Sequence, residues 1–453
     1  MTEVILQARE PRGSDTMLRR VIGPNTIALN AINLSVGSGI FVLPAVVASI
    51  MGPTAIYAYL VCGAAMALVL LCFAELGSTI SRSGGGYAYI EHAFGPFVAF
   101  LAGVLLWFTF GVLSDAAIAA ALADTIASIW PAAGTPVARA LVLAAFFGTI
   151  ITANVAGARE GARVAVVLTI IKLVPLAVFV IGCLPSIQPA AVFGGGLPSL
   201  ESLGKASLVL FFAFTGAETA LSPSGEIRDP RRDVPRGIMA GTAGVILIYL
   251  AVHVAAQGVL GADLAKEGAA PLVTAATRAM GPWGRTLLLL AAVLSMAGCV
   301  AGDLLSMPRT LYATASDGQL PEFLARVHPR FHTPYAAIAV YGGATWFFAT
   351  VGGFVWLAAL ASAGLLLVYL AICLAVLKER RSAARAEGGF RIPGGPTVPL
   401  LGCALVIALL ANAQASEWKP LGGLMAVSAV YYAIRRGAAR RAAGTPATPA
   451  AGA

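Results

Sequence analysis

Residues 27–48 read IALNAINLSVGSGIFVLPAVVA, an apolar run that Gly37-Ser38-Gly39 interrupts near its middle and that contains Pro44 further along. A helix of this length crosses the roughly 30 Å hydrocarbon core of a bilayer. Glycine favours helix breaks, and proline cannot continue the hydrogen bonds of a helix. Non-helical backbone survives at membrane depth only where it lines a cavity or is buried in protein. The stretch therefore predicts a membrane-spanning helix that is broken at mid-span beside a cavity.

A second apolar block, residues 201–225, is interrupted in a similar way. The interrupting residues are Thr215-Gly216, Glu218, Pro223 and Gly225. This block is the sixth along the chain, so the two broken blocks each lead a group of five. Breaks at corresponding positions indicate inverted five-helix repeats with a binding site at the two breaks. The alternative interpretation is that these small residues allow close packing between helices.

The composition places most of the chain in a lipid bilayer. Of 453 residues, 58% are hydrophobic and only 11% are charged, far too few for a soluble protein of this length. We predict an all-α membrane protein with about twelve transmembrane helices in one bundle. The predicted spans are 22–48, 54–80, 97–128, 137–156, 162–184, 201–225, 237–259, 284–314, 335–352, 354–377, 398–414 and 419–435. The predicted parts are an N-terminal tail at 1–20, a transmembrane domain at 21–435 and a C-terminal tail at 436–453, with repeats at 22–184 and 201–377 and helices 11–12 at 398–435.

The net charge of +9 is distributed as an orientation signal and does not indicate nucleic-acid binding. Of the 30 Lys and Arg residues, 23 fall on the side of the membrane that carries the N-terminus, six fall on the other side, and Lys172 lies inside a span. Loops rich in Lys and Arg stay in the cytoplasm. We therefore predict a multi-pass protein of the plasma (inner) membrane with both termini in the cytoplasm.

Four motifs in this chain carry a resemblance to a known family. They are GSGIF at 37–41, SGGGYAYI at 83–90, FAFTGAE at 212–218 followed by EIRDPRRDVP at 226–235, and SDGQLPEF at 316–323. In this order and spacing the chain resembles the amino acid–polyamine–organocation (APC) superfamily over roughly residues 20–435. The resemblance implies the fold of the bacterial leucine transporter, which has two inverted five-helix repeats with broken helices 1 and 6, plus two extra helices.

The resemblance also implies a substrate site built from exposed backbone. The half-helix after the first break points its positive N-terminus at the cavity, which favours a carboxylate. By this resemblance, Ser38 and Gly39 donate to the carboxylate, while the carbonyls of Ser35, Phe212 and Thr215 hold the ammonium group. Either Phe212 or Phe214 would close over the substrate as an aromatic gate, unless both are core or lipid-facing residues. The predicted substrate-binding set is completed by Gly37, Ile40 and Gly216.

Lys172 lies deep inside the fifth predicted span, about ten residues from either end. Ionisable residues within a membrane are costly and usually face a cavity, and snorkelling to the surface is difficult from this depth. Sodium-independent relatives have a lysine at the matching position, where its ammonium replaces a sodium ion and bridges segments 1 and 8. We predict that Lys172 replaces sodium, either through proton coupling or as a fixed tether.

Three further residues are predicted to serve coupling or gating. Glu218, at the second break, resembles an acid of some relatives that senses protons or accepts backbone hydrogen bonds. Cys299 stands where many relatives have a serine near the lysine. Asp303 could pair with Lys172, contact a cationic substrate, or pair with Arg309. Roles for Asp115 and His253 stay open, while Glu75 is predicted to lie at the cytoplasmic interface.

The function predicted from the sequence is sodium-independent amino acid transport by alternating access, with proton symport preferred over exchange. One alternative is a carrier of polyamines or other cationic amines, which Glu218 and Asp303 favour. An alternative of another class is a membrane receptor or sensor that binds an amino acid without moving it. No enzyme, cofactor or metal site is expected, because no HExxH, P-loop or GxSxG motif occurs in a plausible context. The substrate side chain, the direction of net transport and the oligomeric state stay open.

Overall fold

The computed structural model describes residues 21–80, 84–156, 161–222, 226–268, 270–316, 318–381 and 389–443. Helices make up nearly all regular structure there, and an isolated parallel bridge joins Ile22 to Ile227. The helices are α1 Pro24–Ser35, α2 Gly39–Met51, α3 Ile56–Thr79, α4 Gly85–Phe94, α5 Pro96–Leu105, α6 Ser114–Ile129, α7 Pro136–Ala156, α8 Gly161–Cys183, α9 Pro189–Phe193, α10 Leu200–Phe214, α11 Pro230–Leu260, α12 Pro271–Ser316, α13 Tyr335–Val351, α14 Phe354–Glu379, α15 Thr397–Leu410 and α16 Ala415–Ala443.

Among the described residues, seven helices are long and apolar enough to cross a membrane, and two bent pairs raise the number to nine. Shorter apolar helices cover 172–186 and 335–351. The prediction of an all-helical, multi-pass membrane protein is confirmed, and the count of twelve spans stays a prediction. The predicted tail at 1–20 lies outside the described residues, whereas α16 continues through the first part of the tail predicted at 436–453.

Both predicted helix breaks are present. The first separates α1 from α2 at residues 36–38, and the two parts are bent by 56°. The second follows Phe214, where Gly216 adopts a φ of 109° and a short 3₁₀ helix, Ala217–Leu221, continues the chain. The α-helical part of the sixth span, predicted over 201–225, therefore ends at Phe214. Pro223 and Gly225 lie outside the described residues.

Several helix boundaries differ from the prediction for local reasons. α11 begins at Pro230 instead of residue 237, because the Asp229 side chain accepts a hydrogen bond from Arg231 N (3.2 Å) and proline suits the first helical position. The third span contains a π-helical stretch, Leu106–Leu113, between α5 and α6. Such stretches are frequent at functional sites.

Packing relations recur between spans that lie five places apart. α1 packs on α11, and α10 packs on α3, while α3 and α11 pack on each other. In the same way, α12 packs on α8 and α14 packs on α6, while α6 and α12 pack on each other. Spans five places apart therefore have equivalent neighbours: the contact between the first and seventh spans corresponds to that between the sixth and second spans, and the contact between the eighth and fifth spans corresponds to that between the third and tenth spans.

A sharp corner also recurs five spans apart. Residues 93–97 read AFGPF and connect α4 to α5, whereas residues 279–283 read AMGPW and lie at a kink within α12. Gly95 has a φ of 83° and Gly281 a φ of 72°. Glycine permits this left-handed backbone, and the proline then starts the next helical stretch. The first corner precedes the third span and the second corner precedes the eighth span. Each of these spans is the third in a group of five that begins with a broken span.

A buried ion pair holds the end of α3 to the end of α14. The Arg380 guanidinium donates hydrogen bonds to the Glu75 carboxylate from Nε (2.8 Å) and from Nη2. Ile392 N donates to the same carboxylate at 3.0 Å. Phe390 N donates to Ser78 Oγ at 2.9 Å. Glu75 lies at the end of its span as predicted, and it is paired and buried rather than simply interfacial. The segment after α14 is thereby docked on α3.

We predict that Arg380→Gln destabilises the protein by about 3 kcal/mol, because a buried carboxylate loses its charge partner. Thermal unfolding of the purified protein in detergent measures this effect. The neighbouring exposed Arg381→Gln is the control, and the double change Glu75→Gln with Arg380→Gln should recover part of the loss. Equal unfolding midpoints for Arg380→Gln and Arg381→Gln would contradict the role of the pair.

Candidate functional site

The first break exposes the positive end of α2. The first hydrogen bond of this helix runs from Phe41 N to Ser38 O (2.9 Å), so the N–H groups of Ser38, Gly39 and Ile40 precede it. Helix N-termini leave such groups without intrahelical acceptors. The Ser38 hydroxyl is fully buried and has no hydrogen-bond partner among the described residues. The break can therefore offer both N–H and O–H donors to an anionic group.

The second break is ordered by its own side chains. Thr215 Oγ1 donates to Phe212 O (2.8 Å), and Gly216 N donates to Glu218 Oε2 (3.0 Å). Of the two roles predicted for Glu218, the structure shows this acceptance of a backbone hydrogen bond. The Tyr369 hydroxyl of α14 lies beside the same carboxyl group, outside hydrogen-bond geometry.

The two breaks touch each other through glycine. A Cβ added to Gly39 would lie 2.8 Å from Ala213 Cβ, and one added to Gly216 would lie 2.6 Å from Leu34 O. Both distances are shorter than a side chain tolerates. The absence of side chains at these glycines therefore permits the close approach of the two broken helices.

Tyr249 of α11 joins the two breaks, and the sequence analysis did not find it. Its hydroxyl lies 2.7 Å from Ser35 O and 2.6 Å from Ala213 O, and the residue is buried. Its ring packs edge-on against Phe214, with 5.0 Å between centroids. A tyrosine within an apolar span carries no local signal of such a role.

The two predicted gate residues occupy different positions. Phe214 is buried against Tyr249, behind the breaks. Phe212 packs edge-on against Phe354 of α14, with 5.8 Å between ring centroids. Neither ring faces lipid, since both side chains are buried.

Lys172 reaches the first break from α8. Its Nζ donates to Asn33 O in α1 at 3.0 Å, and the residue is only 5% exposed, so it does not snorkel to a membrane surface. On the other side of the break, Cys299 Sγ of α12 lies 3.9 Å from the Cβ position of Gly37. Lys172 also lies within electrostatic reach of Cys299. The structure thus brings Lys172, Gly37 and Cys299 together between segments 1 and 8.

Asp303 lies one helical turn from Cys299 on α12 and faces the interior of the bundle. It interacts electrostatically with Lys172 and with Asp115 of α6. Asp115 Oδ2 accepts a hydrogen bond from the Tyr341 hydroxyl at 2.8 Å. Arg309 instead donates to Leu305 O of its own helix. Of the three alternatives for Asp303, the structure favours Lys172 over Arg309 and leaves contact with a cationic substrate open.

His253 is a buried packing residue whose hydrogen-bonding capacity is not used by the described residues. Its ring stacks on Tyr59, with 4.4 Å between centroids. Neither ring nitrogen has a partner among the residues that the structure describes. His253 lies one turn beyond Tyr249 on the same helix and does not reach the breaks by any described hydrogen bond.

Comparison with known proteins identifies the family. A family model described as amino acid permease matches residues 22–434. The chain belongs to the amino acid permease family. The permease is similar to the serine/threonine exchanger SteT of Bacillus subtilis, with 28% identity over 93% of this chain and 98% of the relative. It is also similar to the methylthioribose transporter (26% identity, 94% and 95% covered) and the branched-chain amino acid permease BcaP (26%, 87% and 88%) of the same organism.

These relatives are transporters, which agrees with the predicted class and gives no support to an enzyme. Among the described residues of the permease, no group of three or more His, Cys, Asp or Glu side chains could hold a metal ion. The buried groups at the breaks are N–H groups, hydroxyls, carbonyls and one ammonium.

We predict that Gly39→Ala destabilises the permease by about 1–3 kcal/mol, because the new methyl group forces α2 away from α10. Gly148→Ala is the matched control, since Gly148 also lies inside a helix and its Cβ position has no atom within 4 Å. That control should be neutral or more stable by up to about 1 kcal/mol, through helix propensity. Thermal unfolding in detergent compares the two variants, and equal midpoints would contradict contact between the breaks.

Proposed function

We propose that this permease is a sodium-independent secondary transporter of amino acids that works by alternating access and is driven by proton symport. The observation that carries the proposal is the pair of touching helix breaks, with donor groups at Ser38 and Gly39 and the Lys172 ammonium at the end of α1. The donors match the carboxylate, and the carbonyls released at the two breaks match the ammonium, the two groups that all amino acids share. The names of the relatives SteT and BcaP support the same substrate class.

The proposed architecture has two inverted five-helix repeats, 22–184 and 201–377, followed by helices 11 and 12. Support comes from the exchange of neighbours between spans five places apart and from the two Gly-Pro corners. Inverted repeats place such corners on opposite sides of the membrane, and the two halves can then rock against each other around a fixed site. The distribution of Lys and Arg supports cytoplasmic termini.

In the proposed binding mode, the substrate carboxylate lies at the N-terminus of α2. The N–H groups of Ser38, Gly39 and Ile40 and the Ser38 hydroxyl surround it. The ammonium group contacts the carbonyls of Ser35, Phe212 and Thr215, and Phe212 closes over the side chain. Phe212 O accepts from Thr215 Oγ1, and Ser35 O accepts from Gly37 N at 2.9 Å. A carbonyl oxygen has two lone pairs, so Phe212 O can take a further donor, whereas Ser35 O can take one only in place of the Tyr249 hydroxyl, which lies 2.7 Å away.

Lys172 supplies the proposed alternative to a sodium ion. Its ammonium binds Asn33 O, a carbonyl near the end of α1, in the way that a bound cation would. A lysine that moves between proton-bound and proton-free states would couple transport to a proton gradient. A lysine that keeps its proton would act only as a tether between α8 and α1.

Exchange is the second candidate, because SteT, to which the chain is similar over nearly its full length, is named an exchanger. The cationic-amine carrier now depends mainly on Asp303, since Glu218 accepts a backbone hydrogen bond at the second break. Asp303 is half-buried beside Lys172, whose positive charge opposes a second cation. A receptor or sensor would bind amino acids at the same breaks without net or exchange flux.

We predict that purified permease in liposomes concentrates an amino acid under an inward proton gradient, without sodium, and that Lys172→Ala abolishes this. A panel of labelled amino acids and amines, with and without internal unlabelled substrate, measures it. Lys205→Ala is the control, because Lys205 is an exposed lysine paired with Glu201. Uptake only into preloaded vesicles would establish exchange, a sodium requirement would contradict the role of Lys172, and binding without flux would indicate a sensor.

A further inference from the structure

The Tyr249 hydroxyl has one hydrogen atom and two acceptors. Ser35 O lies 2.7 Å away and Ala213 O lies 2.6 Å away, so both are at hydrogen-bond distance. A phenolic hydroxyl donates one full hydrogen bond at a time. Tyr249 is 1% exposed, so water from bulk solvent does not supply a second donor to these carbonyls.

The two carbonyls belong to different broken helices. Ser35 is the last residue of α1, and Ala213 lies in the last turn of α10. The last carbonyls of a helix have no intrahelical donor, so the breaks release these two acceptors. Tyr249 lies on neither broken helix but on α11, which packs against both α1 and α2. One hydroxyl therefore contacts acceptors from both halves of the protein.

We propose that Tyr249 is a positioning residue that transfers its hydrogen bond between the two breaks when substrate binds. This inference rests on the proposed function, in which Ser35 O receives the ammonium group of the amino acid. A charged N–H donor forms a stronger hydrogen bond than a neutral hydroxyl. Ser35 O also keeps its bond from Gly37 N, so the ammonium displaces the Tyr249 hydrogen, which moves to Ala213 O. No covalent bond forms or breaks, and no proton leaves Tyr249.

The consequence is communication between the two repeats. Without substrate the hydroxyl is shared between both breaks. With substrate it binds α10 alone, and the first break is held by the ammonium instead. The ring of Tyr249 stays fixed against Phe214 by an edge-on contact with an interplanar angle of 88°. Binding of substrate at the first break therefore strengthens the hydrogen bond from Tyr249 to Ala213 O at the second break.

The test is Tyr249→Phe, which keeps the ring and removes the hydroxyl. Ser35 O then has no competing donor from α11, so the substrate should bind more tightly while the coupled movement is lost. We expect the KM for L-serine or L-leucine uptake to fall roughly fivefold, as the removal of one competing hydrogen bond allows, and the maximal rate to fall at least tenfold. A residue that merely braces the two helices would lower the unfolding temperature without lowering KM.

Tyr431→Phe is the matched control. The Tyr431 hydroxyl is buried without a partner among the described residues, and its ring stacks on Phe100 with 6.2 Å between centroids, away from both breaks. This control should leave KM and rate unchanged. Unchanged KM and rate in Tyr249→Phe, or a raised KM, would overturn the proposal. If the wild-type protein transports no amino acid, the proposed function itself fails.

A second measurement does not depend on removing the hydroxyl. With 3-fluorotyrosine placed at position 249 of the full chain, the fluorine NMR signal should shift when L-serine binds. The analogue 3-hydroxypropionate keeps the carboxylate and hydroxyl but lacks the ammonium, so it should leave the signal in place. Equal shifts with both compounds, or no shift with L-serine at saturating concentration, would overturn the switch.

Discussion

The structure depends on backbone groups that a membrane interior leaves without water. Two spans stop being helical partway along their length, and each freed N–H or C=O group must find a partner within the protein or in a ligand. Some of these groups are satisfied by the side chains of Glu218, Thr215 and Tyr249. Glycine at positions 39 and 216 permits the close approach of the two broken helices. The remaining donors at α2 are suited to bind an anionic group.

Buried charged side chains must likewise find hydrogen-bond partners within the protein. A lysine in the bilayer interior needs acceptors, and a released carbonyl near the end of α1 is available to Lys172. Near the C-terminal end of α3, the carboxylate of Glu75 is satisfied by a guanidinium and a backbone N–H group. In both places a charged side chain connects helices that are distant in sequence.

The sequence predicted the helices, the two breaks and the depth of Lys172, because hydrophobic length, glycine and proline act locally. Through the family resemblance it also predicted that Cys299 lies near Lys172, between segments 1 and 8. It did not predict Tyr249 or the partner of Glu75, because these contacts join residues 214 and 305 positions apart without a motif. The start of α11 was missed because Asp229 and Pro230 extend the helix beyond the apolar block. The neighbours of Asp303 and Phe214 became known only from the structure, since periodicity alone does not determine which helix each residue faces.

The central claim is that the two breaks together form the amino acid site, and cysteine protection tests it most directly. Ser38→Cys places a thiol at the start of α2, where the substrate carboxylate is proposed to bind, and Gly196→Cys places one in the exposed loop between α9 and α10. Ser38 is buried in this structure, so its thiol reacts with a methanethiosulfonate reagent only when alternating access opens the site, and replacing the six native cysteines by alanine removes background reaction. A transported amino acid should slow modification of Ser38→Cys and leave Gly196→Cys unaffected. Equal modification rates with and without the amino acid at Ser38→Cys would contradict a site at the breaks.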